Sequence, residues 1–252
     1  MVRVVCVIPA RLSSTRLPQK PLLDICGKTM LERTYNRAIE VFKPKDVFIA
    51  TESNSIVKQA KSFGANVLLT SNSCLTGTDR VAEITDKIKA DYYVNLQGDE
   101  PIMPLANIDS IYKAAKQNNG AIINGFAKIE NSEEFYSNMI PKVVINNNKE
   151  LLYMSRSPVP GNKNGKFCSA LKQICVYAFT SDHLKNFRMT GKKSLNEEIE
   201  DIEILRFLDN GYKVSMMEMS ANTVAVDTIE DYMRVELIIK NQGEDLVEYD
   251  VG

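Results

Sequence analysis

Runs rich in Val and Ile alternate along the first half of the chain with longer stretches of helical spacing, a pattern that predicts crossover units feeding a parallel sheet. Val2–Ile8 reads as a buried strand, Met30–Val41 as a helix and Val47–Ala50 as a second strand. Ser55–Phe63 has helical spacing, Val67–Leu69 is a short strand, Thr78–Ile88 a helix, Tyr92–Leu96 a strand and Ile108–Gln117 a helix. In such a sheet the strand ends converge on one edge, where loops and helix N-termini gather around ligands.

Beyond about residue 120 the pattern changes to shorter strand-like stretches, Ala121–Ala127, Lys142–Ile145 and Leu151–Met154. The last two are joined by the turn-rich Asn146-Asn147-Asn148, which predicts an antiparallel addition. Pro158–Lys166, with two Pro, two Gly and two Asn, predicts a mobile loop at the border of a ligand site. A strand over Ile174–Phe179, a helix over Glu197–Leu208 stopped by Asn210-Gly211, a strand over Val214–Met219 and a helix over Thr228–Ile239 complete the order. The acidic tail after Gln242 is expected to fray.

Composition narrows this picture. A chain of 252 residues, 44% hydrophobic and 25% charged, is expected to fold as a single domain over 1–252, with a small subregion at about 125–200. Its net charge of -1, without a basic run, gives nucleic acid no handle. Val2–Pro9 lacks the apolar length and cleavage site of a signal peptide, and no run approaches the ~20 residues of a membrane span, so a cytoplasmic protein is expected. Cys6, Cys26, Cys74, Cys168 and Cys175 are odd in number and have no C-x-x-C spacing, which argues for small buried apolar residues over disulfides or zinc.

Three polar clusters fall at strand ends. Pro9 to Lys20 carries three cations and three hydroxyls with few apolar residues, suited to a triphosphate whose charge must be neutralised by groups already in place. It is neither a Walker A sequence nor G-x-G-x-x-G, and a solvated polar loop is the plainer alternative. At Asn95–Pro101 a strand ends in the acids Asp99 and Glu100, a natural seat for magnesium, although Asp99 could instead cap a turn. Asp227 follows another apolar run and has a helix-capping alternative. The acidic run Glu197, Glu198, Glu200, Asp201 and Glu203 suits a solvated helix face, and His183, the single histidine, suits a helix start.

Taken together the clusters are more specific. IPARLSSTRLPQKPL closely resembles the signature of the CMP-Kdo synthetases, and LTGTDRVAE, VNLQGDEPIM, YMSRSPVP and VAVDTIEDY match in order, so that the resemblance spans about residues 2 to 240. It implies a doubly wound, mostly parallel α/β sheet of the nucleotide-diphospho-sugar transferase type with a small antiparallel dimerisation extension. It further implies a homodimeric enzyme that uses CTP and magnesium to transfer CMP to a 3-deoxy-2-keto sugar acid, releasing pyrophosphate, for surface-glycan synthesis. By position, Arg11, Ser14, Arg16 and Lys20 would hold the triphosphate. Thr76, Gly77, Thr78 and Arg80 would frame the nucleotide, with Thr51 nearby. Asp99 and Asp227 would anchor the magnesium and, with Arg16 and Lys20, form the catalytic set.

Gln97, Arg156, Tyr177 and Glu203 would face the acceptor, Arg156 gripping the sugar carboxylate through its planar fork. Two positions on that side depart from the family: Gln173 stands where a histidine is usual, and Ile204 where a glutamine is. Because buried polar groups left unpaired reject the wrong substrate, these departures imply a relative of Kdo as acceptor, with Kdo itself used poorly. A phosphate or phosphonate acceptor giving a CDP-linked product, and an inactive CTP-binding regulatory homologue, are the other readings carried forward.

Overall fold

Four valines and isoleucines alternate through Val4–Pro9 (β1), and the alternation sends successive side chains into two separate cores. The computed structural model of the chain describes residues 2–13, 16–117 and 119–242, so the expectations for Ser14 and for the tail after Gln242 lie outside the described residues. Elements follow in order as β2 (Asp24–Ile25), β3 (Lys28–Thr29), α1 (Met30–Ile39), β4 (Val47–Thr51), α2 (Asn54–Ser62), β5 (Asn66–Leu69) and α3 (Gly77–Ile84). The middle of the chain adds β6 (Tyr92–Leu96), α4 (Leu105–Gln117), β7 (Ile122–Lys128), α5 (Ser132–Tyr136), β8 (Lys142–Ile145) and β9 (Leu151–Ser155). Last come β10 (Leu171–Thr180), α6 (Ser181–Met189), α7 (Leu195–Glu200), α8 (Leu205–Asp209), β11 (Val214–Glu218) and α9 (Ile229–Gln242).

The main sheet runs β11-β7-β10-β6-β1-β4-β5. Parallel pairing joins β6, β1, β4 and β5, and also β7 with β11. Only β10 opposes them, lying antiparallel between β6 and β7 and carrying the β8–β9 hairpin on its flank. The antiparallel addition expected from the sequence is thus β8 to β10, whereas Ala121–Ala127 enters the main sheet because β10 folds back beside it. Cys6 and Ile8 meet Leu31 and Tyr35 of α1, Ile56 of α2 and Ile108 of α4 on one face. Val5 and Val7 meet Val81 of α3, Leu184 and Phe187 of α6 and Phe207 of α8 on the other, completing a doubly wound sandwich. A third cluster packs Val235 and Ile239 of α9 against Leu17, Ile25 and Met30.

Several expectations need correction. The helix read over Glu197–Leu208 is two helices, because Asp201 adopts a left-handed backbone (φ 49°) and Ile202 turns into the core between them. Its acidic run is a solvated face only at Glu198 and Asp201: Glu197 is buried against Arg206, Glu200 accepts bonds from Ser155 and Arg156, and Glu203 is held by α3. Pro158–Lys166 is irregular as expected, yet none of its residues lines the cavity described below. All five cysteines are free thiols, but only Cys6 is buried and Cys168 is exposed.

Candidate functional site

Strand ends β1 and β6 lie side by side in parallel register, which brings the loop after Pro9 against the loop after Leu96. Their approach depends on Gly98, where a Cβ would lie 2.8 Å from the Pro9 carbonyl oxygen. Beside them α3 begins at Gly77, where a Cβ would come within 3.2 Å of the Gln97 amide. A cavity of about 290 Å³ opens at this edge. Arg11, Arg16, Lys20, Thr76, Gly77, Arg80, Gln97, Asp99, Glu203 and Asp227, all expected from the sequence, line it together.

The two acids meet at one cation. Lys20 Nζ lies 2.7 Å from Asp99 Oδ2 and 3.0 Å from Asp227 Oδ1, and Arg16 Nη2 lies 3.2 Å from the same Asp227 oxygen. Burial disfavours the Lys20 ammonium, but the two carboxylates outweigh that cost and hold its pKa above the ordinary lysine value. The capping alternative for Asp227 is removed by its neighbours: Thr228 Oγ1 accepts the Asp231 N–H, and the Asp231 carboxylate accepts the N–H groups of Thr228 and Asp227. Asp227 is thereby left to face the cavity. Asp99 caps no helix either; its carbonyl accepts the Val226 N–H at 2.9 Å, tying the two acidic segments together.

Glu100 does something different from its neighbour. Its side chain is buried and accepts a hydrogen bond from the Thr223 hydroxyl, so the acidic pair contributes one carboxylate to the cavity and one to the stitch beneath it. Burial pushes the Glu100 pKa from 4.5 to about 8, against the pull of the Thr223 bond and with the push of Asp99 and Asp227.

Glu203 sits on the N-terminus of α3, accepting the Gly77 N–H at 2.9 Å and the Thr78 N–H at 2.8 Å, as well as the Thr78 hydroxyl. Burial raises its pKa, and the three donors counter that rise. Thr78 therefore lies behind the wall, with Asn95 Nδ2 also bonded to its hydroxyl at 3.3 Å. Arg80 lines the cavity while paired at 2.8 Å with Glu52, whose other oxygen accepts the Leu12 N–H and so anchors the start of the cationic loop.

Not every expected residue arrives. Thr51 is buried at the end of β4, where its hydroxyl accepts the Ser53 N–H. Gln173 Nε2 bonds Asn124 Oδ1 and Tyr177 Oη, both at 3.1 Å, so Gln173 and Tyr177 are buried against each other and neither lines the cavity. Ile204 is buried in the apolar cluster with Phe207 and does not line the cavity. Arg156 does not line the cavity: it donates from Nε to Glu200 O, from Nη1 to Asn138 O and Met139 O, and from Nη2 to Asp201 O. His183 Nδ1 accepts the Thr180 N–H and closes the cap of α6, remote from the chemistry.

Residues the sequence did not single out also shape the site. Arg206 is fully buried between Asp79 (2.8 Å) and Glu197 (2.6 Å), each of which closes a capping box at the cavity edge, with Thr76 and with Ser194. Lys193 and Asp201 line the wall that α7 contributes. Nothing local marks Arg206, since its partners are 9 and 127 residues away.

A sheet edge that gathers a cationic loop, a helix N-terminus and two convergent carboxylates around one cavity defines a nucleotidyltransferase. The chain belongs to the cytidylyltransferase family, whose sequence profile matches residues 5–219. It is 35% identical to the 3-deoxy-manno-octulosonate cytidylyltransferase of Escherichia coli over 228 residues, covering 90% of this chain and 92% of that protein. The enzyme of the same name from Thermodesulfovibrio yellowstonii is 36% identical over 242 residues, covering 90% and 94%. Among solved structures, CMP:2-keto-3-deoxy-manno-octonic acid synthetase complexed with CTP superposes with a TM-score of 0.87 at 33% identity, over 95% of this chain and 99% of that one. A cytidylyltransferase from Leptospira borgpetersenii shares the fold at 20% identity, with a TM-score of 0.65 over 96% and 88%.

Proposed function

We propose that this chain transfers CMP from CTP to the anomeric hydroxyl of 3-deoxy-manno-octulosonate (Kdo) or a closely related sugar acid, working as a cytoplasmic homodimer that supplies surface-glycan synthesis. The observation that carries this reading is the meeting of Asp99 and Asp227 at Lys20, inside the cavity that Arg11 and Arg16 also line. Arg11, Arg16 and Lys20 bind the triphosphate, Thr76, Gly77 and Arg80 border the nucleotide, and Gln97 with Glu203 borders the acceptor. The hydroxyl oxygen attacks the α-phosphorus in line and gives up its proton to solvent, the bond to the bridging oxygen of the β-phosphate breaks, and pyrophosphate leaves beside the cationic loop.

Magnesium fits the residues present. A cation already rests between the two carboxylates as the Lys20 ammonium, and two carboxylates suffice for an ion that takes its other oxygens from phosphates and water. Asp99 and Asp227 would hold it, and when bound it supplies charge neutralisation at the phosphates and acidifies a coordinated hydroxyl. Among the described residues no group of three or more His, Cys, Asp or Glu converges, so a closed, all-protein metal cage is not part of this reading.

Neither Gln173 nor Ile204 lines the cavity, so the geometry lends no support to the inference that Kdo is a poor substrate. The test is pyrophosphate release from CTP with Kdo and a panel of related acids. Release should require both an acceptor and a divalent ion, the product should have the mass of a CMP-sugar rather than a CDP-linked compound, and Asp99→Asn or Asp227→Asn should slow it about 100-fold or more. Tight CTP binding with no release on any acceptor would make the chain a nucleotide-binding homologue instead.

A further inference from the structure

An acceptor that is a sugar acid brings a carboxylate into the cavity, and Arg156, the guanidinium expected to meet it, has its donors committed to four backbone carbonyls. Lys193 remains on the wall. Its ammonium lies 3.0 Å from Asp201 Oδ1, and both residues line the cavity. The two partners are unequal: the Lys193 side chain is 22% exposed, whereas that of Asp201 is 76% exposed. The lysine is therefore seated in the wall, while the carboxylate that faces it stands in solvent.

Asp201 is also placed with some care. Its left-handed backbone breaks the predicted helix and aims its carbonyl at Arg156 Nη2, 3.1 Å away. Its carboxylate feels three cations, Lys193 foremost and then Arg156 and Arg11, which together keep its pKa below the ordinary aspartate range despite partial burial. Arg11 lines the same cavity, and its guanidinium donates to no described residue. The arrangement is a carboxylate site whose present occupant is one of the chain's own side chains. An ion pair so exposed is weak, so exchanging one carboxylate for another costs little.

We propose that Lys193 is the residue that holds the acceptor's carboxylate, and that Asp201 is its internal stand-in, displaced when the sugar acid binds. The inference rests on the sugar-acid reading given above. It makes Lys193 a determinant of acceptor affinity, with no part in binding CTP. A plain surface ion pair would have no such effect, and a cavity that reads an amine on the acceptor would depend on Asp201 instead.

Steady-state pyrophosphate release separates these outcomes, with Kdo varied at saturating CTP and CTP varied at saturating Kdo, in the presence of Mg2+. Lys193→Gln should raise the KM for Kdo about tenfold, the loss of one charge-assisted contact, while the KM for CTP stays within about twofold. Lys193→Arg should recover most of that loss because it restores the charge. Asp201→Asn removes the competing carboxylate in a residue type that tolerates the left-handed backbone, so the KM for Kdo should stay at or below the wild-type value with an unchanged thermal midpoint. The inference is overturned if Lys193→Gln leaves the Kdo KM near wild type, if the CTP KM rises with it, or if Asp201→Asn raises the Kdo KM as Lys193→Gln does. Should the wild-type chain release no pyrophosphate with Kdo or the related acids, the function proposed above fails first and this inference falls with it.

Discussion

Adjacent acids can serve opposite ends, as Asp99 and Glu100 demonstrate: one side chain meets Lys20 in the cavity and the other is buried beneath it against Thr223. The pairing matters because Thr223 precedes Asp227 by four residues, and the Val226 N–H bonds the Asp99 carbonyl, so one side chain and one backbone contact bring the two acidic segments into line. Removing the hydroxyl in Thr223→Val leaves a buried carboxyl short of a partner and should cost roughly 1–3 kcal/mol in urea unfolding. The raised Glu100 pKa also sets a pH dependence. Between 4.5 and about 8 the folded chain keeps a proton that the unfolded chain releases, so the stabilisation is complete below 4.5 and is lost as pH climbs through about 8. Thermal midpoints measured without divalent ions should therefore fall less steeply from pH 5 to 8 in Glu100→Gln than in wild type.

Helices around the cavity are secured at their N-termini, and the device that joins two of them is a single arginine. Thr76 with Asp79 caps α3, Ser194 with Glu197 caps α7, and Arg206 from α8 binds both acids while its guanidinium lies 3.7 Å from the Phe187 ring centroid. Breaking such a buried group from one side strands two carboxylates in a low-dielectric setting, so Arg206→Met should cost roughly 3–5 kcal/mol in urea unfolding with the slope unchanged. Capping at Thr29, Ser53 and Thr180 is local, each side chain accepting an N–H three residues on, although the sequence did not single these residues out. The break at Asp201 is not local. Helical spacing continues through it, and what interrupts the helix is the pull of Ile202 into the core and of Glu203 onto the start of α3, 125 residues away.

Across the whole molecule, β10 is the strand that decides the outline, since it runs against β6 and β7 and extends the sheet sideways through the β8–β9 hairpin. Leu152 on β9 and Leu195 and Ile199 on α7 are apolar and exposed, on two elements that Ser155 and Glu200 hold together. If the proposed homodimer uses this surface, a Leu152→Glu, Ile199→Glu double variant should sediment as a monomer while the wild type sediments as a dimer, with the circular dichroism of both alike. A monomeric wild type would remove the dimer from the reading without touching the site.

Strand β1, its polar loop and the acids after β6 and before α9 were all determined by sequence alone, because periodicity, loop composition and contiguous motifs are properties of neighbouring residues. Tertiary structure alone decided which acid faces Lys20 and which is buried behind it, that Thr228 with Asp231 rather than Asp227 closes the cap, and that Gln173, Ile204 and Arg156 do not line the cavity. Those outcomes depend on burial and on hydrogen-bond partners as far as 211 residues apart, as Arg16 and Asp227 are, and such partners are chosen only when the sheet brings its strand ends to one edge.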